Sequence, residues 1–434
     1  MKIKAQYILL IVTLIITNLH SQNFWERIES PTEELLRTLH FTDSLRGWVA
    51  GDSGLIFYTS DGGASWTQQE TNINYKIVKL FFLNGNRGWA LAWQEIEAGE
   101  FYGTYILKTT DAGLNWTSEQ YREEGEFMWA LHFLDTLKGF MGGAPNVFVE
   151  TTDGGLSWEQ ANIDSGVFAN FPVLNFQFYN DLYGYATGGR FDIAGVIWKT
   201  VNGGDSWASL DPLYTPADQV WDIHFFDSLH VMGVGGDPDL YGVGIITSTD
   251  AGNSWEYFEI GVFGQARTVS FRTENEGWCP VPLSDNLVVT FDYGNSWTNY
   301  PAPDSASLYD LVFTDSLTGY AVGEEGIIVK YKYQRPDFVD EELNQIVEDF
   351  ILYQNFPNPF NPLTTLSYYL GVPGHVKLSV YDLLGNQIAK LVDEFISAGN
   401  YNITWTADDH PSGVYLVELK VNGKTSSRKI LLLK

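Results

Sequence analysis

The chain has 434 residues, too many for one small core, and its formal net charge is −29 because 54 Asp and Glu outnumber 25 Lys and Arg. So negative a protein repels nucleic acid phosphates and anionic membrane surfaces, which leaves cations and neutral partners such as glycans compatible. Charged residues at 18% and hydrophobic residues at 44% exclude a disordered composition. The single cysteine, Cys279, excludes a disulfide framework and a Cys-based zinc site within one chain, and is expected to be a small buried hydrophobe.

The N-terminal residues predict export. Lys2 and Lys4 precede an apolar run over residues 7–19, which is short for a membrane span. We therefore interpret residues 1–21 as a cleaved signal peptide and expect no transmembrane span in the mature chain.

One eight-residue motif recurs six times. It reads TSDGGASW at residues 59–66, then TTDAGLNW at 109–116, TTDGGLSW at 151–158, TVNGGDSW at 200–207, STDAGNSW at 248–255 and TFDYGNSW at 290–297. The intervals between copies are 42 to 50 residues, the length of four short strands, which is one propeller blade.

The motif predicts a stapled turn. The Asp can accept backbone N–H bonds across the turn, the Gly two residues later can supply a positive φ, and the Trp can cover the hairpin. We assign a structural role, without catalysis or metal binding, to the Asp or Asn and the Trp of each copy: Asp61, Trp66, Asp111, Trp116, Asp153, Trp158, Asn202, Trp207, Asp250, Trp255, Asp292 and Trp297.

A second pattern counts seven units. It is a Phe followed six residues later by a Gly–aromatic pair, with one degenerate copy in which Val231-Met232 follows Phe225. The last unit, ending near residue 333, lacks a fourth strand. Residues 23–30, which carry Trp25, could supply this strand at the outer edge of the seventh blade and close the ring.

The octapeptide resembles the Asp-box of BNR-repeat propellers. This group includes sialidases, some xyloglucan-active hydrolases, sortilin-type receptors and Ycf48-like photosystem II assembly factors. The stretch GWVAGDSGLIFYTSDGGASW is most similar to the Ycf48-like group. The resemblance implies an all-β fold with a seven-bladed propeller over residues 22–333. Because the motif marks turns, it does not define a function. The resemblance also implies a basic arginine patch, which fits poorly with this acidic chain, so photosystem assembly is not expected.

The repeat ends near residue 333. Residues 334–350 are acidic and are interpreted as a linker. Residues 351–434 predict a small Ig-like β-sandwich: three prolines exclude helix from NFPNPFNP, and strands are predicted in VKLSVYDLLG, GNYNITWTA, GVYLVELKVNG and the final SSRKILLLK.

This segment resembles the type A C-terminal sorting domain of the type IX secretion system. The matching elements are residues 353–362, 380–385, 398–401, 412–415 and 429–434. The resemblance implies export through the outer membrane by that machinery, contacted through residues 351–434, and a location in the medium or at the cell surface.

Equivalent positions at the entry to each innermost strand, four residues before each Phe, predict a ligand site at the channel mouth. They vary from blade to blade, as a ligand-fitted surface or neutral drift would produce. Residues that directly follow these positions include Lys79, Asp222 and Asp310. The predicted site comprises Arg37, Trp129, Trp221, Asp222, Arg267, Tyr309 and Asp310. Loops on the same face are expected to add aromatic and charged side chains: residues 93–105 as a long loop, Tyr121, Arg122 and Phe127, residues 190–192, and residues 237–241. Exposed rings there would suit sugar or peptide contact, and the alternative is that some of them are core under long loops.

The sequence favours binding of a glycan or a protein partner, without catalysis. The alternative is a glycoside hydrolase of the sialidase or xyloglucanase type, which needs two carboxylates across a cleft, and Asp222 and Asp310 are the candidate pair. A FRIP-like signature early in the chain, typical of sialidases, is absent. No HExxH or EF-hand sequence is present, so neither a metal nor a cofactor is predicted.

Overall fold

The computed structural model divides the chain into two units, residues 1–335 and 336–434. It describes residues 24–97, 100–121, 125–164, 170–190, 193–210, 218–237, 242–332, 350–352, 355, 360–370, 373–382, 385–397, 399–407, 410–422 and 424–432. The predicted signal peptide and residues 334–349 of the predicted acidic linker lie outside these residues, whereas Phe350 begins a strand of the tail. No helix among them is long and apolar enough to span a membrane.

The first unit is a propeller of seven four-stranded antiparallel sheets, as the repeats predicted. Blade 1 contains β2 (Leu36–Phe41), β3 (Gly47–Gly51), β4 (Ile56–Thr59) and β5 (Thr67–Gln69); blade 2, β6 (Lys76–Phe82), β7 (Gly88–Glu97), β8 (Glu100–Thr109) and β9 (Thr117–Gln120); blade 3, β10 (Phe127–Phe133), β11 (Gly139–Ala144), β12 (Val147–Thr151) and β13 (Glu159–Gln160); blade 4, β14 (Val173–Phe178), β15 (Gly184–Arg190), β16 (Ala194–Thr200) and β17 (Ala208–Ser209).

Blade 5 contains β18 (Val220–Phe225), β19 (Val231–Asp237), β20 (Gly242–Ser248) and β21 (Glu256–Glu259); blade 6, β22 (Ser270–Phe271), β23 (Gly277–Val281), β24 (Asn286–Thr290) and β25 (Thr298–Pro301); blade 7, β26 (Leu308–Phe313), β27 (Gly319–Gly323), β28 (Ile328–Tyr331) and, from the N-terminus, β1 (Trp25–Ile28). Short 3₁₀ turns occupy Asp52–Gly54, Pro303–Ser305 and Glu324–Gly326.

The N-terminal strand closes the ring. β1 pairs antiparallel with β28, with Trp25 opposite Tyr331, which is the closure that the sequence predicted. Trp25 is fully buried, and its ring lies 5.6 Å from that of Phe313 and 5.7 Å from that of Trp278. In blade 7, Trp25 therefore takes the position that the Asp-box Trp occupies beside the Phe in other blades.

The six Asp-box turns have the same pattern of hydrogen bonds. In the first copy, Asp61 accepts bonds from the backbone N–H of Ser65 at 2.9 Å, the Ser65 hydroxyl at 2.6 Å and the Thr59 hydroxyl at 2.8 Å. These donors lower the pKa of Asp61 to about 2, the Ser65 hydroxyl contributing most. In the fourth copy Asn202 makes the equivalent contacts but donates to the Ser206 hydroxyl. The motif is thus a turn staple, as expected.

Aromatic rings join each blade to the next. The Trp or Tyr of a Gly–aromatic pair stacks on the Phe of the following blade: Trp48 on Phe82 at 3.6 Å and, across the closure, Tyr320 on Phe41 at 3.9 Å. The preceding Gly is required because an added Cβ at Gly47 would lie 2.3 Å from the Phe41 ring. Both members of the second repeat are therefore explained by the packing between blades.

The Asp-box turn also accepts a hydrogen bond across this interface. The Trp48 indole donates to the carbonyl of Ala112 at 3.1 Å, and the Tyr320 hydroxyl donates to the carbonyl of Gly62 at 3.0 Å. The Tyr185 hydroxyl donates to Ala251 in the same way. The turns at residues 59–66, 109–116, 151–158 and 248–255 thus bind both their own hairpin and the neighbouring blade.

The second unit is a two-sheet sandwich, as predicted. One sheet has the order β29 (Phe350–Leu352), β30 (Leu363–Leu370), β33 (Gly399–Thr406), and the other β32 (Gln387–Ile396), β31 (Gly374–Tyr381), β34 (Gly413–Val421), β35 (Lys424–Leu432). From the NFPNPFNP run, Asn355 donates to the buried Thr364 hydroxyl at 2.8 Å, and the buried Phe360 donates its N–H to the carbonyl of Leu431. This run is therefore tied to the sandwich core and to the last strand.

Three local expectations were wrong. Residues 93–105 do not form a long loop, because β7 and β8 extend through most of this stretch as one hairpin. Tyr121 is buried beside Trp89 and Leu91 rather than exposed. In the tail, the strand β32 was not predicted; its half-buried residues lack the strict alternation that marks a strand.

Replacing Trp25 tests the closure. Trp25→Ala in the full chain should lower the free energy of unfolding by about 3–5 kcal/mol, since it opens a cavity among three rings. Urea denaturation followed by tryptophan fluorescence would measure this change. The control is Glu26→Ala on the same strand, whose exposed side chain should matter by less than about 1 kcal/mol. Equal effects of the two substitutions would show that closure does not depend on the ring.

Candidate functional site

A β-bulge in the innermost strand turns one residue of most blades toward the channel mouth. In blade 1 the pairing of β2 with β3 skips from Leu36 to Thr38, so Arg37 is the extra residue. The same skip sets apart Val78, Trp129, Leu174, Trp221 and Tyr309. In blade 6, Arg267 precedes the short strand β22. Because a bulge redirects a side chain, it explains why these positions face one site.

Glycine on the second strand permits the bulge. Gly51 lies opposite, where an added Cβ would be 1.9 Å from the carbonyl oxygen of Leu35, and Gly323 has the same relation to Ser307. These glycines end the GWVAG and GYAVG stretches. They are the sequence signal that would have predicted the bulges.

The bulged residues line one cavity of about 170 Å³. All seven residues of the predicted ligand site lie on its wall, so the structure brings them together. The other lining residues are Thr38, Val78, Lys79, Trp93, Leu174, Asn175 and Thr268. Of these, Lys79 follows an aligned mouth position and Trp93 begins the stretch expected on this face, whereas Asn175 was not predicted.

One side of the cavity is aromatic. The rings of Trp93 and Trp129 meet edge to face at 5.1 Å, and those of Trp129 and Trp221 at 6.4 Å. The indole of Trp93 donates to the carbonyl of Met128 at 2.8 Å, which fixes its orientation. Three indoles from blades 2, 3 and 5 thus form a rigid wall suited to apolar and ring-shaped ligand groups.

Two arginines also line the cavity. The Arg37 guanidinium pairs with Asp52 at 2.5 and 3.2 Å, so its charge is compensated within blade 1. Arg267 lies over the ring of Trp221, with 4.8 Å between its guanidinium carbon and the ring centroid. Burial lowers the pKa of Arg267. The hydroxyl of Tyr309, which also lines the cavity, is 3.4 Å from Glu324.

Asp222 and Asp310 hold neighbouring blades together. Asp222 accepts the backbone N–H of Val269 in blade 6 at 2.9 Å and the Asn175 amide of blade 4 at 2.6 Å. Asp310 of blade 7 accepts the backbone N–H of Leu39 in blade 1 at 3.0 Å. Burial raises the pKa of both carboxyl groups, and Lys79 opposes the shift. Their carboxylate oxygens therefore bind the backbone of neighbouring blades, a role that the sequence analysis did not predict.

Three histidines precede the Phe of their innermost strands. His132 lies between the rings of Phe81 and Phe178, each 4.9 Å away, and His224 stacks on Phe271 at 4.6 Å. Desolvation lowers the pKa of His132 to about 3 and that of His40 and His224 to about 4. All three are therefore neutral at pH 7.

Parts of the predicted mouth lie outside the described residues. These are Arg122, residues 191–192 and residues 238–241, which the sequence placed on loops of the same face. Phe127, at the start of β10, is half-buried and contacts Trp93 at 5.8 Å.

The stapled turns, the seven blades and the sandwich define an Asp-box propeller joined to a tail domain. Residues 354–433 match the family described as a secretion system C-terminal sorting domain, and residues 17–124 match the photosynthesis system II assembly factor YCF48 family. The chain therefore joins a propeller, part of which matches the YCF48 family, to a type IX secretion sorting domain, which indicates secretion to the cell surface.

The propeller is similar to known assembly factors. The photosystem II stability/assembly factor HCF136 of Arabidopsis thaliana is 25% identical over 342 residues, covering 71% of this chain and 79% of that protein. A structure of YCF48 bound to D1 peptide has a TM-score of 0.56 at 19% identity and covers 72% of this chain and 98% of that one. The GH74 enzyme of Niastella koreensis reaches 0.52 at 13% identity, with 95% and 75% covered, which shows a shared fold alone.

Substituting a glycine opposite a bulge tests how the mouth is built. Gly323→Ala should destabilise the full chain by about 1–3 kcal/mol, because the new methyl group would meet the Ser307 carbonyl at 2.1 Å. Urea unfolding would measure it. Gly413→Ala is the control, since Gly413 has open space at its Cβ position. A Gly323→Ala chain as stable as the control would exclude the steric requirement.

The buried histidines predict loss of stability in mild acid. A folded pKa below the ordinary value of 6.5 means that the unfolded chain binds protons first, so stability falls as pH drops from about 6.5 to about 4. His132→Phe should remove up to about 3 kcal/mol of this loss, and Phe81 shows that the position accepts Phe. Urea midpoints at pH 7 and pH 4.5 would measure the difference.

The control is His375→Gln, which replaces an exposed histidine of the tail instead of one of the three buried histidines. Asp61 does not interfere, since its pKa of about 2 lies below this window. An unaltered acid response in His132→Phe would mean that other groups cause it.

Proposed function

We propose that the propeller binds a glycan or a protein partner outside the cell, at the channel-mouth cavity, without catalysing a reaction on it. One observation carries the proposal: bulges in successive blades turn side chains of differing chemistry into one cavity. Bulges next to functional sites typically serve to aim side chains. The three indoles and two arginines that line the cavity give it both apolar and polar recognition.

The state of the two carboxylates supports binding without catalysis. A glycosidase needs one carboxylic acid that donates a proton and a second carboxylate free to attack or to activate water. Asp222 and Asp310 instead accept backbone N–H groups from adjacent blades. Moving either oxygen toward a substrate would break a contact between blades.

Similarity to assembly factors supports a partner-binding role. The HCF136 and YCF48 proteins are named as photosystem II assembly factors, and one YCF48 structure contains a D1 peptide. We infer that this chain uses the same scaffold for a different partner outside the cell. Residues 351–434 would contact the secretion machinery on the way there.

A combined screen separates binding from hydrolysis. The purified mature chain is tested on a glycan array, on a panel of glycosidase substrates and in pull-downs from the cell surface. Binding without turnover is expected. Trp129→Ala and Trp221→Ala should each weaken it at least about tenfold, because a central aromatic anchor contributes about 2 kcal/mol or more. Leu114→Ala, on an exposed Asp-box turn, is the control.

Turnover would contradict the proposal if the Asp222→Asn/Asp310→Asn double variant abolished it while remaining folded. Binding that survives both Trp substitutions would exclude the cavity as the site. A partner recovered by pull-down and lost in Trp221→Ala would favour a protein over a glycan.

A further inference from the structure

Arg267 differs from several other arginines of the propeller, which have acidic partners. Arg37 pairs with Asp52, Arg46 with Asp43, and Arg272 with the buried Glu276. Arg267 has no ion pair with any described residue, and its buried Nε has no hydrogen-bond partner there. The charged or titratable groups that act on it are Tyr309 and Arg37, neither of which is an acid at neutral pH.

An unpaired guanidinium in a partly desolvated site is costly. Removing a cation from water without an acidic partner costs several kcal/mol, which contact with the Trp221 ring offsets only in part. A carboxylate entering the cavity would supply the missing charge, and a guanidinium can bind it through two parallel hydrogen bonds. The Trp221 indole N–H is also buried and without a partner among the described residues, so it offers a further donor at this place.

The remaining walls indicate what carries the carboxylate. A cavity of about 170 Å³ holds one ring-sized unit, since about 150 Å³ is enough for benzene. The indoles of Trp93 and Trp129 offer apolar surface to the C–H face of a sugar. Lys79, Asn175 and Thr268 offer several polar groups, which suits many hydroxyls better than a single peptide group.

We propose that the cavity binds one acidic sugar unit of a glycan, whose carboxylate is held by Arg267 above Trp221. This rests on the proposed function and names the ligand class for the same site. Asp222 and Asp310 also line the cavity and could repel a carboxylate. The positive charge of Lys79 favours the ionised form of both side chains, and Asp222 also accepts hydrogen bonds from the Thr268 hydroxyl and the Val269 N–H. The net charge of −29 disfavours long polyanions, whereas a single acidic sugar unit brings only one negative charge to the cavity.

Matched acidic and neutral sugars test the proposal. Calorimetry on the mature chain compares uronate-containing oligosaccharides with their methyl esters, which keep the ring and lose the charge. The acidic forms should bind at least about tenfold more tightly. Arg267→Gln should abolish this preference while leaving the weaker binding of the esters, which shows that the variant is folded. Arg190→Gln, at an exposed position outside the cavity lining, should change neither.

A second comparison uses a tripeptide with a free carboxyl terminus and its amide. Peptide binding that is lost in Arg267→Gln, without uronate binding, would overturn the sugar as the source of the carboxylate. Equal affinity for acid and ester, or a preference that persists in Arg267→Gln, would overturn the role of Arg267. In that case Trp129-dependent binding of the esters would still support the proposed function, whereas loss of all Trp-dependent binding would contradict both.

Discussion

The contact between neighbouring blades is the constraint on which the propeller depends. A single four-stranded sheet exposes apolar residues on both faces, and only the next blade can cover them. In most blades the aromatic residue of the Gly–aromatic pair stacks on the following Phe, and Trp48, Trp89, Tyr185 and Tyr320 also donate a hydrogen bond to the next Asp-box turn. The stacking must return to its start, so Tyr320 on Phe41 and Trp25 beside Phe313 complete the same set of contacts. The N-terminal strand is therefore part of the core.

The bulge separates this structural requirement from ligand recognition. On the innermost strand of blade 1, Leu36, Leu39 and Phe41 are buried between blades and must remain apolar. Arg37 is set apart by the bulge and does not take part in that packing. The equivalent residues can therefore be Trp, Leu, Val or Tyr without disturbing closure. The six bulged positions and Arg267 can therefore differ in chemistry without changing the packing between blades.

The sequence predicted what is periodic. Seven blades, the stapled turns and the closure all follow from repeats, because repeated contacts leave repeated residues. The mouth positions were located by alignment between units, yet the bulge that turns them inward was missed. The roles of Asp222 and Asp310 could not be predicted either, because their partners are backbone N–H groups about 47 and 271 residues away in sequence. Any residue type except proline offers a backbone N–H, so the sequence does not reveal such a partner. Asp222 and Asp310 therefore also fitted a catalytic pair.

The distribution of compensated charge connects stability with recognition. The Asp-box carboxylates are bound by hydroxyl and N–H donors, Glu276 pairs with Arg272, and the channel histidines are neutral. This exported propeller has only one cysteine, so it is stabilised by these local hydrogen bonds and ion pairs and by aromatic packing. Among the described residues that line the cavity, Arg267 departs from this pattern. Functional sites are where proteins most often depart from such local compensation. The unpaired charge of Arg267 lies at the cavity, where an acidic ligand would offset the free-energy cost of burying it.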